Sequence, residues 1–161
     1  MSDVTVILAF AIPVGIIATL FMDGVVFLRQ RIWGAAVLDY RMVGRWIGHF
    51  PKGRFSHTPI TASSPIAGEA VIGWTAHYLI GMTFALGLIA SSGWPPSFGG
   101  CLLTGLLTSA APFLIMQPGM GRGIAASKTP QPNTARKNTL VTHLSFGIGL
   151  YLGVLIWSAF S

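Results

Sequence analysis

Ionisable and amide side chains are rare in this chain, and several of them interrupt long apolar segments. Asp23, Glu69, His77 and His143 each lie within such a segment, and Gln117 ends one. An ionisable side chain is costly to bury in a bilayer, which makes it a candidate for function. Carboxylates and imidazoles can move protons, bind polar ligands or hold metal ions. These five residues are therefore the candidates for a ligand or ion site.

Three kinds of site fit these residue types. Asp23 and His77 could form a buried hydrogen-bonded pair that only fixes helix packing, since such contacts contribute about 0.6 kcal/mol on average in membranes. A second interpretation is a divalent metal cofactor, because imidazole and carboxylate suit zinc or iron. Its ligands would be His77, His143, Asp23 and Glu69, although the spacing HExxH is absent. The third is a protonatable or polar-ligand site that serves transport or a lipid headgroup.

A second group of candidates includes residues of the stretch MQPGMGRGIAASKTPQP at residues 116–132, which we call the glycine loop. Its alternating glycines can turn backbone N–H groups toward an anion, and its basic residues add charge. The spacing fits neither a Walker A loop nor a dinucleotide-binding loop. The alternative is a connector whose glycines allow positive φ and close packing. The hypothetical headgroup or anion site comprises Arg45, His49, Gly119, Gly121, Arg122, Gly123, Ser127 and Lys128.

The composition indicates an integral membrane protein with a single domain over residues 1–161. The chain is 52% hydrophobic and 9% charged, with a mean hydropathy of +0.68, whereas soluble domains carry about 25% charged residues. The net charge of +6 raises nucleic acid as a partner. We expect no nucleic acid, because membrane proteins concentrate basic residues in cytoplasmic loops. The lone Cys101 allows no intramolecular disulfide.

Four segments have the roughly 20 apolar residues that a membrane span requires. They cover about 4–28, 69–90, 96–116 and 139–160. All ten basic residues lie in the two loops 29–68 and 117–138. The positive-inside rule therefore predicts that both loops are cytoplasmic and that both termini are periplasmic. The polar candidates would then lie in the cytoplasmic leaflet.

The first cytoplasmic loop contains an amphipathic segment at residues 40–50, with apolar side chains on one arc and basic ones on the other. Asp39 can cap its start and Pro51 can end it, which predicts a short helix lying on the interface. Later in this loop, His57 lies in a Ser/Thr/Pro-rich segment and is expected to be solvated. Small residues at i, i+4 spacing in the second span, including Gly73 and Gly81, predict close helix contact. The fourth span carries a comparable stripe at Gly147, Gly149 and Gly153, which permits a homo-oligomer.

Five motifs together resemble the domain of unknown function 2938 family of small multi-span bacterial membrane proteins. They read GIIATLFMD (15–23), GRWIGH (44–49), GEAVIGWTAHYLIG (68–81), LIMQPGMGRGIAASKTP (114–130) and HLSFGIGLY (143–151). The resemblance covers nearly the whole chain, and the glycine loop is its most specific part. It implies a bacterial inner membrane but no activity. Positions that match the family pattern are Asp23, Trp46, His49, Glu69, Trp74, His77, Tyr78, Gln117, the glycine loop and His143.

The expected fold is all-α, a four-helix transmembrane bundle with a short amphipathic interfacial helix in the first cytoplasmic loop. The leading functional hypothesis is a non-enzymatic inner-membrane protein whose polar site takes a small ligand, an ion or a lipid headgroup, with a link to transport. One alternative is a metal-dependent membrane enzyme that uses histidine and carboxylate groups. Another is an accessory or scaffolding subunit of a larger membrane complex. The expected partners are the bilayer, with anionic headgroups on the cytoplasmic side, and a homo-oligomer or larger complex.

Overall fold

A computed structural model describes residues 3–160 of the chain, and within them it contains helices and no strand. The helices are α1 (Asp3–Trp33), α2 (Tyr40–Gly48), α3 (Glu69–Ser92), α4 (Phe98–Thr108), α5 (Gln117–Gly119) and α6 (Pro132–Ser158). A π-helical segment occupies Pro112–Met116, and 3-10 turns occupy Phe50–Lys52, Ile60–Ala62 and Ile124–Ala126. The predicted all-α fold is confirmed.

Four helical stretches are long and apolar enough to cross a membrane. They are Val4–Trp33, Glu69–Ser92, Phe98–Gly119 and Pro132–Ser158, so four long apolar helices are confirmed in the predicted number and order. Two of these helices extend well beyond the expected spans. Helix α1 continues past residue 28 through Arg29 and Arg31 to Trp33, because arginine is a good helix former even where hydropathy falls. Helix α6 begins at Pro132 instead of 139, and proline is favoured at a first helical position.

The predicted short helix in the first loop is present as α2. Its N-cap is Asp39, whose carboxylate accepts a hydrogen bond from the backbone N–H of Arg41 at 2.9 Å. The helix ends at Gly48, with His49 as its C-cap, and a 3-10 turn containing Pro51 follows. Local sequence signals therefore predicted this element to within two residues of its end.

The third span is not a continuous α-helix. Pro112 has no backbone N–H to donate, and the N–H of Gln117 bonds to the carbonyl of Pro112, five residues back. The resulting π-helical turn widens the helix just before the glycine loop, and such turns are frequent at functional sites.

The chain divides into two compact units. Unit 1 contains the residues up to Ala35, Tyr78–Thr108 and the residues from Leu140 onward. Its core packs α1 and α4 closely on α6: a Cβ added at Gly149 would lie 2.9 Å from the Cα of Ala18, and one added at Gly147 would lie 3.1 Å from the Cα of Leu102. This small-residue stripe contacts helices of the same chain, so its presence needs no oligomer to explain it.

Unit 2 contains Ala36–His77 and Ser109–Thr139. It combines α2, the first loop and the start of α3 with the π-helical turn, α5, the glycine loop and the start of α6. Both predicted basic loops thus belong mainly to this one unit. Its buried residues include polar side chains as well as apolar ones such as Val43, Ile60 and Met120.

Candidate functional site

The centre of unit 2 is a buried ion pair between Arg45 and Glu69, whose residues are only 8% and 6% exposed. The Nε and Nη2 atoms of Arg45 donate to the two carboxylate oxygens of Glu69 at 2.8 and 2.9 Å. This two-bond geometry is the strongest form of an arginine–carboxylate contact. Glu69 also accepts from the N–H of Ile66 at 3.2 Å and from Arg41 at 3.4 Å. The pair therefore ties α2 to the first turn of α3.

The charge of Arg45 is maintained by this pair. The hydrogen bond to Glu69 raises the pKa of Arg45 above its already high value, while burial acts in the opposite direction. The prediction had placed Arg45 in an anion site and Glu69 in an ion site. Because each now satisfies the other, neither charge is available to an outside ligand without separating the pair.

Two glycines bring the backbones of α2 and α3 into contact at this point. A Cβ added at Gly44 would overlap the carbonyl oxygen of Glu69, and one added at Gly73 would overlap the carbonyl oxygen of Tyr40. Close helix approach at Gly73 was predicted from its spacing. The helix that approaches it is α2 of the first loop.

A histidine pair lies beside the ion pair. His49 and His57 are 2% and 5% exposed, and their ring centroids are 5.0 Å apart. The Nδ1 of His49 donates to the carbonyl of Arg45 at 2.8 Å, and the Nδ1 of His57 is 2.7 Å from the Oγ of Ser63. The Nη1 of Arg45 donates to the carbonyl of Ser63 at 3.2 Å. One buried hydrogen-bonded network therefore connects both histidines with the ion pair.

The expectation that His57 is solvated was wrong. Burial lowers the pKa of His57, and the nearby His49 and Arg54 act in the same direction. Its Nε2 atom is buried without a hydrogen-bond partner, and such an atom in a folded protein is uncommon. The composition of the segment did not reveal this, because the ring contacts His49 of α2 and the backbone of His57 contacts the glycine loop, which is distant in sequence.

The glycine loop packs on the first loop through two of its glycines. A Cβ at Gly119 would lie 2.6 Å from the indole Nε1 of Trp46. Gly121 has a φ of +85°, and a Cβ there would overlap the carbonyl oxygen of His57. The loop also accepts backbone hydrogen bonds from the N–H groups of His57 and Ile60, at Gly119 and Met120 respectively. Close packing is therefore sufficient to explain why these two positions are glycine.

Several N–H groups of the glycine loop are engaged within the loop itself. The N–H of Arg122 bonds to the carbonyl of Gln117 at 2.8 Å, and that of Lys128 bonds to the carbonyl of Arg122 at 2.9 Å. The N–H of Ser127 bonds to the carbonyl of Ile124 at 3.0 Å. These donors are not turned toward an anion. An anion site built from them and from Gly123 stays a prediction.

The remaining predicted site residues have local partners. In unit 1, the Tyr78 hydroxyl donates to the carboxylate of Asp23 at 3.2 Å, and the Nδ1 of His143 is 3.0 Å from the Oγ1 of Thr108. The sequence analysis assigned no chemical role to Tyr78 or Thr108. A single hydroxyl group within an apolar segment does not reveal its hydrogen-bond partner. Asp23 and His143 each contribute to packing contacts in unit 1, and their convergence stays a prediction.

In unit 2, the ring of His77 packs against Tyr40 and Trp74, with centroids 4.2 and 5.8 Å apart. The amide nitrogen of Gln117 donates to the Oγ1 of Thr139 at 3.2 Å, and its Oε1 is buried without a partner. Across residues 3–160, no three His, Cys, Asp or Glu side chains are grouped so that they could hold a metal ion. The divalent-metal hypothesis therefore has no preformed ligand cluster in this part of the chain.

An open groove of about 480 Å³ lies on unit 2 and is lined mainly by apolar side chains. We call it the aromatic groove; its lining residues are Trp46, Phe50, Phe55, Ser56, Leu114, Ile115, Pro118 and Gly119. Trp46 contacts Phe50 with ring centroids 4.9 Å apart, and its Nε1 donates to the carbonyl of Phe55 at 2.8 Å. Phe55, Leu114 and Ile115 are each about 60% exposed. Three large apolar side chains are therefore exposed beside a tryptophan that is held by a hydrogen bond.

Unit 2 carries all of the net charge of the protein. It holds eight of the ten basic residues and two of the four acidic ones, so its formal charge of +6 equals that of the whole chain. Unit 1 holds two basic and two acidic residues and is neutral. Lys52, Arg54, Arg122 and Lys128 of unit 2 are exposed. An apolar groove and a strongly basic surface therefore occur on the same unit.

Residues 12–157 match the model of a family described as "Protein of unknown function (DUF2938)". The chain belongs to this family. All five motifs that carried the resemblance lie inside the matched range. No curated protein and no solved structure matches the chain. Membership in DUF2938 is compatible with a membrane protein of several apolar helices, and the function has to be argued from the residues themselves.

Proposed function

We propose that this DUF2938 protein is a multi-pass inner-membrane protein that binds an anionic lipid through unit 2. The acyl region of the lipid occupies the aromatic groove, and the headgroup contacts exposed basic side chains. The observation that carries the proposal is that one compact unit holds both the groove and the entire net charge of +6. A groove lined by aromatic and aliphatic side chains favours an apolar ligand, and the surrounding charge favours an anionic one.

The charge distribution also supports the orientation. Both basic loops belong mainly to unit 2, and loops rich in lysine and arginine remain on the cytoplasmic side. The cytoplasmic leaflet is the one where anionic headgroups attract juxtamembrane basic residues, at about 1 kcal/mol per lysine or arginine. Both termini are then periplasmic. Reporter enzymes fused to the C-terminus test this: activity of a periplasm-dependent reporter is expected, and activity of a cytoplasm-dependent one contradicts the orientation.

The headgroup site differs from the one suggested by sequence. Arg45 is buried against Glu69 and His49 is buried beside it, so neither is the first contact for a headgroup. Lys52 and Arg54 lie between Phe50 and Phe55, which both line the groove, and both are exposed. They are the exposed cations closest in the chain to the groove-lining aromatics, and they replace the buried Arg45 and His49 as the proposed headgroup contacts.

Quenching of Trp46 fluorescence by lipids brominated on their acyl chains tests the site, with the other four tryptophans replaced by phenylalanine. Two lipids with identical acyl chains are compared, one with an anionic phosphatidylglycerol headgroup and one with a zwitterionic phosphatidylcholine headgroup. The anionic lipid is expected to quench at lower concentration. Arg54→Gln should raise its half-saturating concentration about fivefold, which corresponds to about 1 kcal/mol.

Arg31→Gln is the matched control, because Arg31 is an exposed arginine in the last turn of α1 in unit 1. It removes the same charge but should leave the quenching curve unchanged. Equal quenching by the two headgroups would refute the anionic specificity. If Arg31→Gln raised the half-saturating lipid concentration as much as Arg54→Gln does, the proposed location of the site would be refuted.

A further inference from the structure

His57 lies at the contact between the first loop and the glycine loop. Its backbone N–H donates to the carbonyl of Gly119 at 2.9 Å, and the N–H of Ile60 donates to the carbonyl of Met120 at 3.1 Å. The carbonyl oxygen of His57 also leaves no room for a side chain at Gly121. Two backbone hydrogen bonds and one close backbone contact therefore hold residues 57–60 against the glycine loop, and His57 makes two of these three interactions.

The imidazole of His57 is placed where only its neutral form fits well. Its Nδ1 has Ser63 as a partner, whereas its buried Nε2 has none. A protonated imidazole carries an N–H on both ring nitrogens. The added proton would give the ring a charge in a buried position, which is costly, and the Arg54 carbonyl offsets only part of that cost.

The charged groups around His57 oppose that added charge. From α2, the ring of His49 is 5.0 Å away, and Arg45 is bonded to Glu69. From the same segment, Arg54 adds a positive charge. The glycine loop contributes backbone atoms of Gly119, Met120 and Gly121. The carboxylate nearest to this network, Glu69, is already engaged by Arg45 and by the N–H of Ile66.

We infer that protonation of His57 loosens the contact between residues 57–60 and the glycine loop, so that this contact is a pH-sensitive joint within unit 2. The direction follows from linkage. Burial holds the pKa of His57 below the ordinary value of 6.5, the nearby His49 and Arg54 act in the same direction, and the Arg54 carbonyl opposes it. The contact is therefore fully formed above pH 6.5, and its stability is lost as the pH falls from there through the pKa of folded His57.

The same joint borders the aromatic groove, since Gly119 lines the groove and packs against Trp46. If the proposed function is correct, acidification changes the groove as well as the loop contact. That last consequence rests on the proposed function. The loosening of the loop contact does not, because it depends only on His57 and its surroundings.

Hydrogen exchange of the full-length protein in detergent, corrected for the intrinsic effect of pH, tests the joint. The readout is the protection of the His57 and Ile60 amides at pH 7.5 and at pH 5. Protection is expected to fall about tenfold for each unit by which the pKa of folded His57 lies below 6.5, up to a limit of about 30-fold, because pH 5 lies 1.5 units below 6.5. Unchanged protection at the two pH values would overturn the inference.

The variant His57→Gln tests whether His57 is the titrating group, because a glutamine amide can form a hydrogen bond with Ser63 but does not titrate in this range. Its amide protection should not respond to pH, whereas His143→Gln should respond as the wild type does. His49→Gln should move the wild-type transition to higher pH, because it removes one of the groups that disfavour the charged form. A pH response that survives in His57→Gln would show that another group is responsible.

A direct titration keeps the inference testable if His57→Gln fails to fold. The ring signal of His57, assigned by NMR on the wild-type protein, should titrate below pH 6.5. Titration at or above that value would overturn the inference. Lipid quenching of Trp46 is measured separately, so a failure of lipid binding leaves the exchange result intact and a failure of the pH response leaves lipid binding intact.

Discussion

Replacing Gly44 with alanine inserts a methyl group where the backbones of α2 and α3 touch. The added Cβ would overlap the carbonyl oxygen of Glu69 and would lie 2.7 Å from both the carbonyl carbon of Glu69 and the nitrogen of Gly73. Carbon atoms pack best at about 3.5–4.0 Å, so the two helices have to separate by about 1 Å. Neither neighbour is a side chain that could rotate away.

That separation has a second consequence. The Arg45–Glu69 hydrogen bonds are 2.8 and 2.9 Å long, and a shift of about 1 Å takes them beyond the roughly 3.2 Å limit of a good N–H···O bond. Overpacking alone costs about 1–3 kcal/mol. Alanine is favoured over glycine in a helix by about 1 kcal/mol, which offsets part of that cost. Weakening the Arg45–Glu69 hydrogen bonds adds about 1 kcal/mol, so we expect a net destabilisation of α2 by about 2 kcal/mol, which lowers amide protection about 30-fold.

Hydrogen exchange at the amides of α2 measures this change, and Gly87→Ala in α3 is the matched control. No heavy atom lies within 4 Å of a Cβ added at Gly87. The same substitution should therefore leave the stability of α3 unchanged or increase it by up to about 1 kcal/mol. We expect amide protection to fall in Gly44→Ala and to stay the same or rise in Gly87→Ala. If the amides of α2 are as protected in Gly44→Ala as in the wild type, the close contact between α2 and α3 does not exist.

Other predictions follow from the same packing. Glu69→Gln should leave the buried guanidinium of Arg45 unpaired and reduce exchange protection in α2, whereas Arg45→Gln combined with Glu69→Gln should cost less than the sum of the two single changes, as a double-mutant cycle reports. Gly119→Val should displace the indole of Trp46, which lies 2.6 Å from the added Cβ, and shift its emission in the single-tryptophan protein. Cys101 is fully buried, so a maleimide should label it only after denaturation; rapid labelling of folded protein would contradict that core position.

Local patterns predicted much of the fold. The four spans follow from apolar length alone, because a bilayer core demands about 20 such residues. The short helix α2 follows from its amphipathic spacing and from the Asp39 cap, both of which act within a few residues. Helix α1 continues beyond the expected span because the apolar run stops at Arg29, whereas arginine still favours the helix.

The candidate site was predicted less completely, because its contacts join distant parts of the chain. The sequence identified Arg45, His49 and Glu69 as chemically significant but assigned Arg45 and Glu69 to different sites. They are separated by 24 positions and meet only because Gly44 lets α2 approach α3. His57 was expected to be solvated from its polar neighbours, and it is buried.

Local sequence signals were enough to predict an all-α fold with four long apolar helices, the short loop helix and the residues that are expensive to bury. Those properties depend on composition and on spacings of a few residues. Contacts between distant segments set which of those residues neutralise one another, which histidines are buried and where an apolar groove opens. Such outcomes depend on backbone approach between segments far apart in the chain, and in unit 2 that approach is controlled by glycines at Gly44, Gly73, Gly119 and Gly121.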